Sequence, residues 1–338
     1  MKVLITGGAG HVGKATTERL VKHGWEVRVI GLEAGIEIPG AEFVTCDIMN
    51  YGDLREQLRG CDAVVHLAAI PQPRTANARK LFEVNVAGTY NVFEAAAAEG
   101  VRRIVQASSI NAFGCYYGLT DMSIQYFPIN EEHPTFTTDP YSFSKESIES
   151  IGRYYWRRDG ISSVALRFPA VLSNTYSENE DVRQRHQLMR QVLDALASAP
   201  ETERRQQLAD VRRSVLEYRQ QHPFEFRGGL PDIPRRDFVD YPLWHAYAID
   251  RFNFWASIDE RDAAQSIERG LTAQYDDAHA LFVSADHNWL GYDSRTLVRL
   301  FFPEVDESRV ALAGSAALVS NDKARKLIGF QPECIVKS

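Results

Sequence analysis

Tyr141 and Lys145 stand four residues apart in the run Tyr141-Ser142-Phe143-Ser144-Lys145. On a helix, that spacing aims a phenol and an ammonium from one face. An ammonium beside a phenol stabilises phenolate and predicts a tyrosine pKa below its usual value of about 10. A tyrosine so poised exchanges a proton with a substrate hydroxyl or carbonyl near neutral pH. Chance supplies the same spacing on many surface helices, so its weight depends on the rest of the chain.

A second pattern lies at the start. Gly7-Gly8-Ala9-Gly10-His11-Val12-Gly13 has the spacing G-x-x-G-x-x-G. It sits between a strand-like run, Lys2–Thr6, and a helical pattern, His11–His23. Glycines there let the backbone turn sharply and approach a pyrophosphate, which then rests on the N-terminus of the next helix. The strand–turn–helix context is what makes the motif a dinucleotide-binding signal.

These residues need a scaffold. Strands are predicted at Lys2–Thr6, Glu26–Ile30, Glu42–Thr45, Ala63–Leu67, Arg103–Ala107 and Ser163–Arg167. Helices are predicted between them, near His11–His23, Tyr51–Leu58, Ala76–Glu99 and Pro140–Arg158. Such alternation predicts an α/β fold, a doubly wound parallel sheet of Rossmann type with helices on both faces. Asp139-Pro140 reads as a helix start that delivers Tyr141 at the helix entrance, after a long connection from Gly118.

From about Ser173 to Pro242 the pattern changes. Met189, Leu193 and Leu196, then Leu208, Val211, Val215 and Tyr218, recur at helical spacing on either side of Pro200. Two amphipathic helices are expected, serving as packing, as a homodimer contact or as a lid. His222–Tyr241 reads as loop. Beyond it, helices at Asp259–Arg269, Ser294–Phe301 and Asn321–Ile328 and a strand at Ala280–Ala285 are expected. The expected organisation is a dinucleotide-binding domain over 1–172, a helical insertion over 173–242, and elements over 243–338 that complete the body and a smaller C-terminal substrate lobe.

Bulk properties narrow the class. The 338 residues are 44% hydrophobic and 25% charged, ordinary for a globular protein with a sizeable core. A net charge of -7 argues against a general nucleic-acid or anionic-membrane binder. The four cysteines are scattered without a C-x-x-C pair, which points away from a disulfide framework or zinc site and towards a reducing compartment. Cys46 and Cys61 flank apolar runs and read as small core residues. The first residues form a strand-like run rather than a signal peptide, and no apolar stretch nears the roughly 20 residues that span a bilayer. A cytoplasmic protein without a metal site is expected.

Taken together, the glycine spacing and Y-x-x-x-K resemble the extended short-chain dehydrogenase/reductase superfamily, which contains the NAD-dependent epimerases and dehydratases. Further stretches match in order. Cys46-Asp47-Ile48 matches the acidic residue that contacts adenine, and His66-Leu67-Ala68-Ala69 a strand-end motif lining the cofactor. Asn85-Val86-Ala87-Gly88-Thr89 matches the central-helix motif, and Ser108-Ser109 before Phe113-Gly114 the catalytic-serine strand. Leu166-Arg167-Phe168-Pro169 matches the strand passing the nicotinamide. The resemblance covers about the first 170 residues and is absent from most of 173–242.

Carried over, it implies that Ser109 hydrogen-bonds the reacting oxygen and that Tyr141 is the general acid/base. Lys145 would hold the nicotinamide ribose, and Asn85 would support the centre indirectly. The implied cofactor contacts are Gly7, Gly10, His11, Val12, Gly13, Glu33, Asp47, Ile48, Leu67, Ala68, Ala69, Asn85, Tyr141, Lys145 and Phe168. His66 reads instead as a packed core histidine.

Departures from the pattern bear on substrate and cofactor. Many NAD-binding relatives place an acid directly after the second strand; here Gly31 stands there, with Glu33 two residues on. Glu33 in a shifted position favours NAD; the alternative is NADP with Arg28 as an ill-placed phosphate partner. Ala170 replaces the asparagine that grips a nucleotide-sugar diphosphate, and Ile110-Asn111 replaces the Asp-Glu pair of dehydratases. The expected activity is hydride transfer between NAD or NADP and a secondary alcohol or carbonyl of a small, sugar-derived substrate. Epimerisation by transient oxidation uses the same residues. A non-catalytic cofactor-sensing protein is a third reading. The substrate pocket is expected from Ile70–Arg74, Ile110–Tyr117, Phe168–Ser173 and parts of His222–Tyr241, with Arg74 placed either on an anionic substrate group or in solvent.

Overall fold

The computed structural model describes residues 1–226 and 238–334. Its elements run β1 (Lys2–Thr6), α1 (His11–Lys22), β2 (Glu26–Gly31), β3 (Glu42–Thr45), α2 (Tyr51–Leu58), β4 (Ala63–His66), α3 (Ala78–Phe82) and α4 (Gly88–Ala98). They continue with β5 (Arg103–Ser109), α5 (Pro140–Asp159), β6 (Ser162–Phe168), β7 (Ala170–Leu172), α6 (Glu180–Ser198), α7 (Glu201–Gln220) and α8 (Pro242–His245). The last are β8 (Ser257–Asp259), α9 (Glu260–Thr272), β9 (Ala278–Phe282), α10 (Ser294–Phe301) and α11 (Asp322–Ile328).

Seven strands form one parallel sheet in the order β3-β2-β1-β4-β5-β6-β9. Strand β1 shows why the apolar run is unbroken. Val3 and Ile5 enter the core under α1 and α9, while Leu4 enters the core under α2 and α4. Both faces are covered, so both sets of side chains are apolar. Each such side chain, fully buried, contributes roughly 1.5–3 kcal/mol.

Strand order reverses between β1 and β4, the switch point at which open α/β sheets bind ligands. Because every pairing is parallel, the carboxyl ends of the strands share one edge. Thr6 pairs with Ile30 on one side and His66 on the other, and Ser109 pairs with Phe168. The glycine turn, Glu33, Leu67–Ala69, Ser109 and Phe168 therefore follow or end strands along one edge.

Two elements differ from their predicted form. The predicted Ala76–Glu99 helix contains a π-helical segment, Glu83–Ala87, between α3 and α4. The last strand begins two residues before its predicted start and ends at Phe282. Two features were not anticipated. The three-residue strands β7 and β8 pair in parallel as a separate small sheet, and residues 242–253 are helical throughout. The two helices expected on either side of Pro200 are α6 and α7; Gly228, Gly229, Pro231 and Pro234 of the loop expected over 222–241 lie outside the described residues. Met189, Leu193, Leu196 and Val215 of the helix pair enter a third, aromatic-rich core with Phe113, Phe254 and Phe302. Cys46 and Cys61 are buried among apolar neighbours. Among the described residues, no helix is long and apolar enough to cross a membrane.

Candidate active site

The glycine turn is built for close approach. Gly7 has φ +69°, and a Cβ on it would lie 2.7 Å from the Ala68 nitrogen. A Cβ on Gly13 would meet the Gly8 backbone at 2.5 Å, and one on Gly8 would meet the Val29 side chain at 2.5 Å. Gly10 is the N-cap of α1 and carries no side chain to cover the helix end. The result is a bare helix N-terminus facing the switch point, a cradle that fits a dinucleotide pyrophosphate. His11, in the first turn, is exposed and lies 3.3 Å from the Glu260 carboxylate; Val12 packs into the core below.

Around this cradle, β2 and β4 supply the flanks. Gly31 is buried, and the Glu33 carboxylate occupies the space that a Gly31 side chain would need. An acid is thus folded back over the end of β2. Arg28 is committed elsewhere: it donates to Glu42 at 2.8 Å and to the Gln57 carbonyl at 2.9 Å. Asp47 is exposed beyond β3, with one oxygen accepting from Met49 N. Ile48 is buried beneath it, close to Gly88. The Leu67 and Ala68 amides donate to the Thr6 hydroxyl, and Ala69 follows half-buried. His66 bridges Thr6 and Thr89 at 2.7 and 2.9 Å, and burial holds its pKa down at about 3, so it is a neutral packed histidine.

Behind the edge, Asn85 lies in the π segment. It accepts from Ile70 N at 2.7 Å and donates to Ser144 Oγ at 3.1 Å, which in turn donates to the Tyr141 carbonyl. Asn85 thus ties the loop after β4 to the first turn of α5. Asp139 caps that turn by accepting from Ser142 N at 2.8 Å, a contact worth about 0.5–2 kcal/mol. Ser109 ends β5, with its hydroxyl accepting from Asn111 N and lying beside the Tyr141 phenol. Lys145 donates to the Ala107 carbonyl at 2.8 Å. One turn later, Glu149 accepts from Ser108 Oγ at 2.8 Å and from Nε and Nη2 of Arg167 at 2.9 and 2.8 Å, all buried.

The electrostatics correct one expectation. The Lys145 ammonium sits 5.8 Å from the Tyr141 ring centre and is turned to a main-chain oxygen. Burial dominates both groups: it pushes the Tyr141 phenol up to about 12, against the Ser109 hydroxyl. It also pushes Lys145 down to about 8, against the Glu149 charge. A spacing rule reports neighbours on a helix face but not desolvation.

A cavity of about 240 Å³ lies one ring away from Tyr141. Tyr117 forms the partition, with its ring centre 5.5 Å from that of Tyr141 at nearly a right angle. Arg74, Tyr116, Tyr117, Tyr218, Phe224 and Trp244 line the cavity. The Arg74 guanidinium lies 4.9 Å over Phe224, and its Nε is buried without a partner. Among the described residues no carboxylate pairs with it. Of the stretches expected to form a pocket, Gln72 and Arg74 of Ile70–Arg74, Tyr116 and Tyr117 of Ile110–Tyr117, and Phe224 of His222–Tyr241 line this cavity; Ile110–Cys115 and Phe168–Ser173 do not. Tyr218 was missed because its helical spacing reads equally well as core packing, and Trp244 because the helix that carries it was not anticipated.

Asp250, buried on the helical stretch that follows Trp244, has one oxygen 3.5 Å from Arg185 and the other without a partner among the described residues. Burial raises its pKa to about 7. Between the unfolded value near 4 and about 7, the folded state binds the extra proton, so this group's contribution falls as pH rises through that window. Asp250→Asn is expected to raise the unfolding midpoint at pH 8 and to do so much less at pH 5. Equal shifts at the two pH values in thermal melts would show that Asp250 is already charged throughout.

A Rossmann-type sheet with a bare helix N-terminus at its switch point, and a serine, tyrosine and lysine along the same edge, defines a dinucleotide-binding protein of the short-chain dehydrogenase/reductase type. Residues 3–212 match the NAD dependent epimerase/dehydratase family, and the chain belongs to that family. It is 33% identical over 178 residues to an L-arabinose 1-dehydrogenase (NAD(P)(+)) of Haloferax volcanii, covering 51% of this chain and 68% of that one. It is 32% identical over 195 residues to a UDP-glucose 4-epimerase of Streptomyces lividans, covering 55% of each. A uronate dehydrogenase of Pseudomonas putida is 29% identical over 168 residues, covering 49% and 59%. The last two alignments thus span little more than half of the relatives' length. In structure, an NAD-bound short-chain dehydrogenase/reductase superfamily protein of Agrobacterium tumefaciens superposes with a TM-score of 0.63 at 24% identity, covering 99% and 94%. A UDP-glucose 4-epimerase of Thermotoga maritima with UDP-glucose gives 0.60 at 17%, covering 99% and 95%. These two share the fold.

Proposed function

We propose that the chain is an NAD(P)-dependent oxidoreductase acting on a secondary alcohol or carbonyl of a small, polar, sugar-derived substrate. The observation that carries this reading is the convergence of Ser109, Tyr141 and Lys145 on the sheet edge beside the glycine cradle. Bound nicotinamide supplies the hydride donor or acceptor. Tyr141 gives or takes the proton of the reacting oxygen, and Ser109 orients that oxygen by hydrogen bonding. Lys145 supplies a cation beneath them and holds the ribose. The guanidinium of Arg74, which pairs with no carboxylate among the described residues, supports a substrate with an acidic group, such as a uronate.

The test is incubation with NAD⁺ or NADP⁺ and a panel of aldoses, uronates and polyols, following reduced-nicotinamide absorbance. Accumulation of reduced cofactor supports the dehydrogenase. Conversion of a sugar to its isomer without accumulation would replace it with the epimerase reading. Neither change, with cofactor binding intact, would leave a cofactor-sensing protein.

For the cofactor, Glu33 over Gly31 and the engagement of Arg28 support NAD. A carboxylate there accepts from ribose hydroxyls and repels a 2′-phosphate. Glu33→Ala is expected to narrow the NAD⁺-over-NADP⁺ affinity ratio by about tenfold, close to 1.4 kcal/mol. Binding titrations that give the same ratio for both proteins would rule Glu33 out.

A further inference from the structure

Near its end, α7 carries an arginine that the proposed chemistry does not use. Arg219 is 1% exposed. One arm of its guanidinium donates to the Gly118 carbonyl and, at 3.3 Å, to that of Cys115. The other donates to the Tyr116 carbonyl at 2.9 Å and to the Ala248 carbonyl at 3.1 Å. Its plane lies 3.6 Å over the Phe252 ring. The acid that acts on it most strongly, Asp121, bonds directly to Arg212 and Arg251 instead.

A buried guanidinium without a paired acid is costly, and here main-chain oxygens replace its water. Three of the four belong to one loop, Cys115–Gly118. A rigid planar fork of donors holds several carbonyls in one fixed arrangement, which a rotating ammonium does not. The loop so held carries Tyr116 and Tyr117, which wall the cavity, and Tyr117 lies against Tyr141. The neighbouring Tyr218, and Phe224 just past the helix, wall the same cavity, with the Phe224 ring 5.4 Å from Tyr117 and 6.0 Å from Tyr116. Helix α7 thus lines the cavity directly through Tyr218 and holds its Tyr116–Tyr117 part through Arg219.

We propose that Arg219 is a positioning residue that makes the helical insertion a determinant of substrate selection, by locking the Cys115–Gly118 loop and with it Tyr117 against Tyr141. This rests on Tyr141 being the proton-handling group. The cavity receives the part of the substrate remote from the reacting carbon, and α7 with the residues just past it decides which groups fit.

The test uses the full chain with Arg219→Met and Arg219→Lys. Hydrogen exchange read by mass spectrometry is expected to quicken about tenfold or more over 115–118 in both, with β1 and β5 unchanged. For a substrate found in the panel, KM is expected to rise about tenfold while kcat falls less than about threefold, with NAD⁺ affinity unchanged. Lysine keeps the charge but not the fork, so recovery of wild-type KM by Arg219→Lys would overturn the clamp. Unchanged exchange over 115–118 would overturn it whether or not a substrate is found. Faster exchange in a protein with no turnover in the panel would uphold the clamp and count against the catalytic reading alone. If Arg219→Met does not fold, Phe224→Ala carries the selection test: a raised KM with wild-type exchange supports it, and an unchanged KM overturns it.

Discussion

Tyr141→Phe is expected to lower turnover by about 10²–10⁴-fold, the usual range for loss of a positioned general acid/base. Phenylalanine keeps the ring that packs against Tyr117, so fold and cofactor affinity should stay within about twofold of wild type. A loss smaller than about tenfold would remove Tyr141 from the mechanism. The raised pKa also sets an expected pH dependence for each direction of the reaction. A phenol near 12 is protonated across neutral pH and ready to donate to a carbonyl. Reduction should therefore run well near pH 7, while oxidation should accelerate as pH rises and the phenolate fraction grows. An oxidative rate that is flat from pH 7 to 9 would contradict this.

The second large effect concerns stability. Glu149 and Arg167 form a buried pair, with side chains 4% and 5% exposed, that also takes the Ser108 hydroxyl. Removing one partner leaves the other charge buried and unpaired. Glu149→Ala is expected to cost about 3–5 kcal/mol, read as a lower denaturant midpoint at unchanged slope. The double variant Glu149→Leu/Arg167→Met should recover most of that loss, because the pair itself is worth little net of its desolvation. A double variant as unstable as the single one would show that the ion pair is a true net stabiliser. Glu149 also raises the Lys145 pKa, so its loss should move the lysine's titration further below its present value of about 8.

Much of this architecture was legible in the sequence, for physical reasons that can be named. Strands covered on both faces read as unbroken apolar runs; β1 and β3 match their predicted bounds, and β2, β4, β5 and β6 fall within two residues of theirs. The glycine turn was legible because no other residue fits at Gly7 and Gly13. His66 read as a core histidine from its place in an apolar strand, and it is one. What escaped was set by tertiary surroundings. Strands β7 and β8 are three residues long, too short for any period to show. The shift at Tyr141 depends on how deeply α5 packs against the sheet, which a four-residue spacing does not encode. Arg28 entered only as an ill-placed phosphate partner in the NADP alternative, and its engagement was not legible because its partners, Glu42 and Gln57, come from other elements. Arg219 sat in a helix rich in charged residues, and only its burial sets it apart from them.

The small β7–β8 sheet has one more implication. Its register pairs Ala170 with Ser257 and Leu172 with Asp259. The chain leaves at Leu172 and returns at Ser257, so the two ends of everything between stand about 8 Å apart. The Asn174 amide bonds to Glu260 just outside, closing the neck. Such a neck is a graft point. A segment attached there can lengthen, shorten or be exchanged at small entropic cost and with no shift in the strands that hold Ser109 and Phe168. Swapping this segment between relatives is thus a natural way to change what the protein accepts while leaving its reaction centre in place.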